Sequence, residues 1–412
     1  MTLKTSLDDT QKVKTKNILA LSITKVMHGF GIAMFTVIYQ PFILEITKSL
    51  FITGIIVSIG SIMQFLPMPL IGRLSDKIGH KNSLIASIPI YILGLISLIY
   101  ANASTIFLLV FGIIMYFLAT TFNSMNAQFL VSINSKRSKG LMYGIVFASY
   151  FIGTIMGGAF IIIGTEFETQ FFFLLFIILL GVEALILFLF ISNDIPIKDI
   201  NEEVRTTDIM QSEKIWLKFV KNRRMRTILI FFTLDIFTYG ISLSIYNGGL
   251  NDYYHLTPDQ ISSIVIWMNL TNMIFQIPAG RITDKLGKMK TILLSQVFGL
   301  AFFILNIAAS LIWEVSIVEP VVPLLIIGHI LFAFSIVLFI PSEQIMLTDL
   351  GERRKAESYG IVTFVRGLGY IPTGVIGGIL IESISYISPF IITSIGILIE
   401  IWFILKFFKH EE

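Results

Sequence analysis

Twelve long apolar runs, almost free of charge, constrain this chain more than any other feature. They cover residues 18–40, 50–71, 83–102, 104–131, 141–164, 170–192, 227–249, 259–279, 291–313, 320–345, 358–381 and 388–408. A helix needs about 20 apolar residues to cross the hydrocarbon core of a bilayer. The runs therefore predict an all-α membrane protein with twelve transmembrane helices. A porin-type barrel fits poorly, because its strands would alternate apolar and polar residues over about ten positions. Composition agrees: 14% of the 412 residues are charged and mean hydropathy is +0.84, whereas a soluble domain carries about 25% charged residues. There is no cysteine, which excludes disulfides, thiolate metal sites and cysteine catalysis. Met1 to Lys16 is polar, and the first apolar run is too long for a signal-peptide core, so it is expected to remain as a span.

The chain is also duplicated. Gly72-Arg73-Leu74-Ser75-Asp76-Lys77-Ile78-Gly79-His80-Lys81-Asn82 follows the second run. Gly280-Arg281-Ile282-Thr283-Asp284-Lys285-Leu286-Gly287-Lys288-Met289-Lys290 follows the eighth, 208 residues later. The fifth and eleventh runs match as well. Tyr143-Gly144-Ile145-Val146 is followed by Gly153, Gly157 and Gly158; Tyr359-Gly360-Ile361-Val362 is followed by Gly369, Gly374, Gly377 and Gly378. Two pseudo-symmetric six-helix bundles are expected, at 1–192 and 227–412. The polar, basic stretch 193–226 reads as a linker, either solvated or with an amphipathic helix around 209–220 on the membrane surface.

Placement of charge predicts orientation. With both termini cytoplasmic, 27 of the 30 Lys and Arg residues fall in cytoplasmic segments, counting Lys406 at the cytoplasmic end of the last run. Lys48 is external, and Lys25 and Arg366 lie within spans. Glu166, Glu168, Asp252, Asp259, Glu314, Glu319 and Glu382 fall in external loops. The expected location is the plasma membrane, in a monomer surrounded by lipid.

The repeated segment resembles the signature between spans 2 and 3 of the major facilitator superfamily (MFS), through Gly72, Leu74, Asp76, Lys77, Gly79, His80 and Lys81. The second copy keeps Gly280, Asp284, Lys285, Gly287 and Lys288. The resemblance implies the MFS fold and a contact of Asp76 with the start of span 11 near Ser358. The switch set is thus Gly72, Arg73, Asp76, Lys77 and Gly79, with Gly280, Arg281, Asp284, Lys285 and Gly287. Drug/proton antiporters of that family carry a proline where this chain has Gly158. They also carry a span-4 arginine, whereas this chain offers Asn123, Asn126 and Gln128.

Ionisable groups inside spans are costly and are functional candidates. Lys25 and His28 lie one turn apart in span 1, Asp235 in span 7, Glu343 in span 10 and Arg366 in span 11. Aligning Ile18-Leu19 with Ile228-Leu229 sets Lys25 opposite Asp235 in the repeat, both about 12 Å deep, so an ion pair between them is geometrically reasonable. Asp235 is the candidate proton-coupling group; Lys25 and Arg366 are candidates to set substrate charge. The alternative is that these charges are static pairs. Asn123, Asn126, Tyr150, Asn269 and Asn272 complete the candidate substrate set, alongside Gln64, Tyr239, Tyr246, Asn247, Trp267 and Tyr370. Glu183 and Glu400 occupy matching places in spans 6 and 12 and are not expected to couple.

No nucleotide-binding, metal-ligand or nucleophile motif is present. The chain therefore reads as a secondary transporter and not an enzyme. It is expected to need no cofactor beyond a proton gradient and to have no nucleic-acid partner. Proton-coupled export of a small organic or amphipathic solute is the first reading. Uptake or facilitated passage of an anionic or polar nutrient is the second, and a non-transporting receptor the third.

Overall fold

In the computed structural model, the described residues are 2–134, 139–192, 221–315, 321–350 and 355–408, and no strand occurs among them. The expected linker therefore lies almost wholly outside the described residues. Twelve helices are long and apolar enough to cross a membrane: Thr15–Thr47, Leu50–Gly72, His80–Ile99, Ala103–Val131, Gly144–Ile163, Thr169–Phe190, Met225–Tyr254, Pro258–Leu286, Lys288–Val315, Val321–Glu343, Val362–Ser383 and Ser388–Phe407. They are numbered spans 1 to 12 below. Helical structure is the only open-chain solution in hydrocarbon, because each backbone N–H and C=O must be satisfied within the segment.

Three spans are interrupted, each for a local reason. Span 2 breaks between Phe65 and Met68, and span 11 between Tyr370 and Thr373. Pro67 and Pro372 sit at those breaks, where a proline removes a helix donor and crowds the preceding turn. Span 7 breaks between Leu243 and Tyr246 without a proline. Gln40 compensates there: its Nε2 donates to the Ser244 carbonyl (2.8 Å) and its Oε1 accepts from the Gly248 N–H (2.9 Å).

Packing divides the chain into two compact units. One comprises Met1–Tyr39 and Leu70–Lys198; the other comprises Gln40–Pro69 and Asp199–Glu412. Span 2 thus groups with spans 7 to 12, where the sequence repeat placed it in the first bundle. The reason lies in its contacts. A Cβ on Gly54 would meet the Gly374 backbone, one on Gly378 would meet Leu50, and one on Gly367 would meet the Phe65 ring. Glu382, at the end of span 11, accepts from Ser49 Oγ (2.7 Å) and the Phe51 N–H (2.9 Å), capping the start of span 2.

Within each unit the repeat reappears as packing. Span 5 lies against span 1 where Gly153 meets Val26 and Gly157 meets Phe30; span 11 lies against span 7 where Gly369 meets Thr233 and Gly377 meets Ile241. Small residues permit this approach where lipid gives no hydrophobic drive for helix association.

The repeated segments are helical rather than looped. Span 2 continues as a helix through Met68–Ile78, and span 3 starts at His80; span 8 runs to Leu286, and the next helix starts at Lys288. One residue makes each turn: Gly79 at φ 88°, ψ 146° and Gly287 at φ 82°, ψ 154°. L-residues avoid this backbone region, at a cost of about 1–3 kcal/mol. Gly280 is helical, and a Cβ there meets nothing within 4 Å. Gly79→Ala and Gly287→Ala are each expected to lower stability by about 1–3 kcal/mol, while Gly280→Ala leaves it unchanged or slightly higher. Thermal unfolding of the purified protein in detergent checks this; equal melting temperatures for all three variants would refute the single-residue turn.

Candidate functional site

The C-terminal unit buries a connected group of charges. Asp235 is 7% exposed, and its Oδ1 accepts from Gln296 Nε2 at 2.8 Å. Gln296 Oε1 accepts in turn from the Tyr239 hydroxyl at 2.8 Å. Tyr239 is one turn beyond Asp235, so span 7 presents both groups on one face toward span 9. The two bonds fix the amide's orientation, with nitrogen toward the carboxylate and oxygen toward the phenol. Gln296 was not among the candidates; its signal in the sequence was an amide within an otherwise apolar run.

Arg366 of span 11 pairs with the Glu343 carboxylate of span 10. Its guanidinium carbon lies 5.3 Å from the Phe232 ring centroid, within cation–π range. Arg366 is also the charged neighbour of Asp235. The arginine is thus ion-paired with one carboxylate and interacts electrostatically with a second. Glu400 of span 12, fully buried, has Asp235 and Thr238 as its neighbours.

The N-terminal unit holds a second group. Lys25 Nζ donates to Asn123 Oδ1 at 2.7 Å. His28 Nδ1 lies 3.1 Å from Glu183 Oε2, with both side chains almost fully buried. The imidazole packs edgewise on Tyr91 (5.5 Å between centroids) and Phe176 (6.1 Å). Lys25 and Asp235 are thus each hydrogen-bonded inside their own unit, to amides. Tyr150 is half-buried, and its backbone abuts Gly29.

Asn126 sits elsewhere. Its Oδ1 lies 2.9 Å from His80 Nδ1 and its Nδ2 donates to the Phe122 carbonyl at 2.7 Å. His80 also stacks on Phe129 at 4.9 Å. Asn126 therefore anchors the repeated segment to span 4. Lys81 of the same segment donates to the Phe188 and Ile191 carbonyls that end span 6, a cation at the negative end of a helix. Lys77, Arg281, Asp284 and Lys285 are exposed. The side chains of Arg73 and Asp76, and that of Ser358, lie outside the described residues, and the implied Asp76 contact with them.

Span 8 carries Asn269, Asn272 and Gln276 at helical spacing, along one face. Asn269 and Asn272 are buried, and Asn272 Oδ1 and Gln276 Oε1 have no hydrogen-bond partner among the described residues. Such amides provide unused acceptor capacity. Tyr246, by contrast, donates to Asn306 at 2.6 Å, and His329 Nδ1 is bonded to the Leu325 carbonyl at 2.8 Å. Among the described residues no group of three or more His, Asp or Glu is arranged to hold a metal ion.

A sequence profile of the Major Facilitator Superfamily matches residues 21–250 and again 233–412, once for each half. The uncharacterized MFS-type transporter C18.02 of Schizosaccharomyces pombe is 29% identical over 198 residues, which cover 46% of this chain and 42% of that protein. The match thus spans less than half of the yeast protein's length. Among solved structures, a mutant of the nucleoside transporter NupG superposes with a TM-score of 0.76 at 16% identity, covering 94% of this chain and 98% of that one. A POT family transporter in complex with 5-aminolevulinic acid gives 0.76 at 13% identity, with 95% of each chain covered. The human organic anion transporter MFSD10 gives 0.68 at 13% identity, covering 95% of this chain and 99% of that one. At such identities the likeness concerns the fold. The profile covers nearly the whole sequence, however, and the twelve helices and the duplication agree with it: the chain belongs to the major facilitator superfamily and is a membrane transporter, not an enzyme.

Proposed function

We propose that this transporter exchanges protons for a small cationic or amphipathic organic solute by alternating access, working as an exporter with both termini in the cytoplasm of a plasma-membrane protein. The observation that carries this reading is that Arg366 is paired with Glu343 and interacts electrostatically with Asp235. With these three ionised and the neighbouring Glu400 neutral, the group bears one uncompensated negative charge. Net charge is costly in a low-dielectric site. A proton on Asp235 removes it, and so does a cationic solute. Two ligands that neutralise the same charge compete, and competition of that kind yields antiport.

Asn272 and Gln276 support the reading as acceptors for the donor groups of a protonated amine. The Lys and Arg distribution supports the orientation. A second reading is uptake of an anionic or polar nutrient. It draws on Lys25, whose ammonium is hydrogen-bonded to an amide, and on structural relatives named for a nucleoside and an organic anion.

Proteoliposomes loaded with a pH dye and challenged with cationic, neutral and anionic solutes test both. Proton movement opposite to a cationic solute is expected, and Asp235→Asn should reduce it by an order of magnitude or more while the protein stays folded. Undiminished coupled flux in that variant would remove Asp235 from the mechanism, and co-directional flux with an anion would favour the second reading.

The Arg366–Glu343 pair makes a separate stability prediction. Breaking a buried pair from one side costs about 3–5 kcal/mol, whereas replacing both partners by apolar groups costs far less. Arg366→Met and Glu343→Leu should each lower the melting temperature strongly, and the double variant should lose much less than the two together. Simple additivity would show that the pair is energetically uncoupled.

A further inference from the structure

We propose that His28 and Glu183 form a second proton-binding site, buried in the N-terminal unit and independent of Asp235. The imidazole nitrogen and the carboxylate oxygen are 3.1 Å apart, and both side chains are almost fully buried. One proton can occupy this pair in two ways, as imidazolium with carboxylate or as imidazole with carboxylic acid. Transfer along the existing hydrogen bond interconverts them. The other carboxyl oxygen, Glu183 Oε1, is buried with no hydrogen-bond partner among the described residues. A static ion bridge in a dry interior is stable only when its remaining lone pairs are satisfied. An open lone pair on a carboxyl oxygen is instead a position where a proton can reside.

The surroundings define what such a proton does. Lys25 lies one turn away on the same helix, and it and Glu183 interact electrostatically. From span 3 the facing group is Tyr91, whose hydroxyl donates to Thr120 at 3.1 Å. From span 4 Tyr116 packs on Tyr91 at 5.3 Å, and from span 5 Tyr150 interacts with Tyr91. Span 6 contributes Glu183 itself and the apolar Phe176 ring. Lys25 and Glu183 are therefore the charged groups that face the imidazole. With the pair deprotonated, the Glu183 carboxylate balances the Lys25 ammonium. With the pair protonated, it balances itself and the Lys25 charge becomes available to an anion. Occupancy of the pair and the effective charge of Lys25 are thus linked, one proton to one charge.

The repeat supplies an internal control. Glu400 holds the place of Glu183 in the C-terminal unit, and Thr238 stands 210 residues after His28, as Asp235 stands 210 after Lys25. Both halves keep the buried acid, but only the N-terminal half has a base beside it. The position beside Glu400 thus lacks the imidazole that this kind of proton exchange needs.

The test needs no transported solute. Full-length protein in lipid nanodiscs is titrated from about pH 5 to about pH 8, and two signals are followed: the infrared carbonyl stretch of protonated carboxyls and the nitrogen resonances of labelled histidine. A carboxyl band and an imidazole resonance that change together are expected in the wild type. Both changes should be lost in His28→Gln, and the carboxyl change should be lost in Glu183→Gln. Both should persist in Asp235→Asn and Glu400→Gln. Lys25→Met should retain the joint change but displace it along the pH axis. A wild-type protein in which neither signal titrates would overturn the proposal. So would a joint change that survives Glu183→Gln, or one that vanishes in Asp235→Asn. The wild-type titration decides by itself if a variant fails to fold, and the outcome is independent of whether Asp235 couples transport.

Discussion

Inside a bilayer no water is available to solvate a charge, so each buried ionisable group must find its partner in the protein. That constraint orders much of the buried polar chemistry among the described residues. Asp235 is held by Gln296, Arg366 by Glu343, Lys25 by Asn123 and His28 by Glu183. Each pair joins two different spans, so satisfying these groups also ties those helices together. The same rule governs the backbone. Where span 7 breaks without a proline, Gln40 takes both a carbonyl and an N–H that the break releases.

The two halves meet the constraint with different chemistry. At equivalent positions of the repeat, span 1 presents Lys25 and His28 and span 7 presents Asp235 and Thr238. The opposing helices then supply an amide to both Lys25 and Asp235, from Asn123 and Gln296. The duplicated scaffold thus keeps the two positions while inverting their charge, and draws the amides from non-equivalent spans, 4 and 9.

The repeated Gly-Arg/Lys segment shows how little of a motif is turn. All but one residue of each copy is helical, and a single left-handed glycine reverses the chain. In the first copy, His80 and Lys81 then secure the segment to span 4 and to the end of span 6. Its basic residues therefore act in packing as well as in topology.

Much was legible from sequence because hydrophobicity along a chain is local. Twelve spans, the duplication and the short list of intramembrane charges follow from counting apolar and charged residues. So did the glycine contacts of spans 5 and 11, since small residues at helical spacing have few other uses in a membrane. Partner choice was not legible. The bond of Asn126 to His80 could not be read from either run, and Gln296 passed unnoticed beside Asp235. Glu183 was set aside as peripheral although it faces His28. Span 2 was assigned by repeat position to the first half, yet its glycines and the Glu382 cap group it with span 11. Hydrogen bonds and ion pairs are directional and short, and their partners here lie up to several hundred residues apart in sequence. The sequence by itself determined that the chain crosses the membrane twelve times as a duplicated transporter. Only the tertiary structure decided which buried group answers which, because that depends on angstrom-scale approach between helices and not on the composition of any one of them.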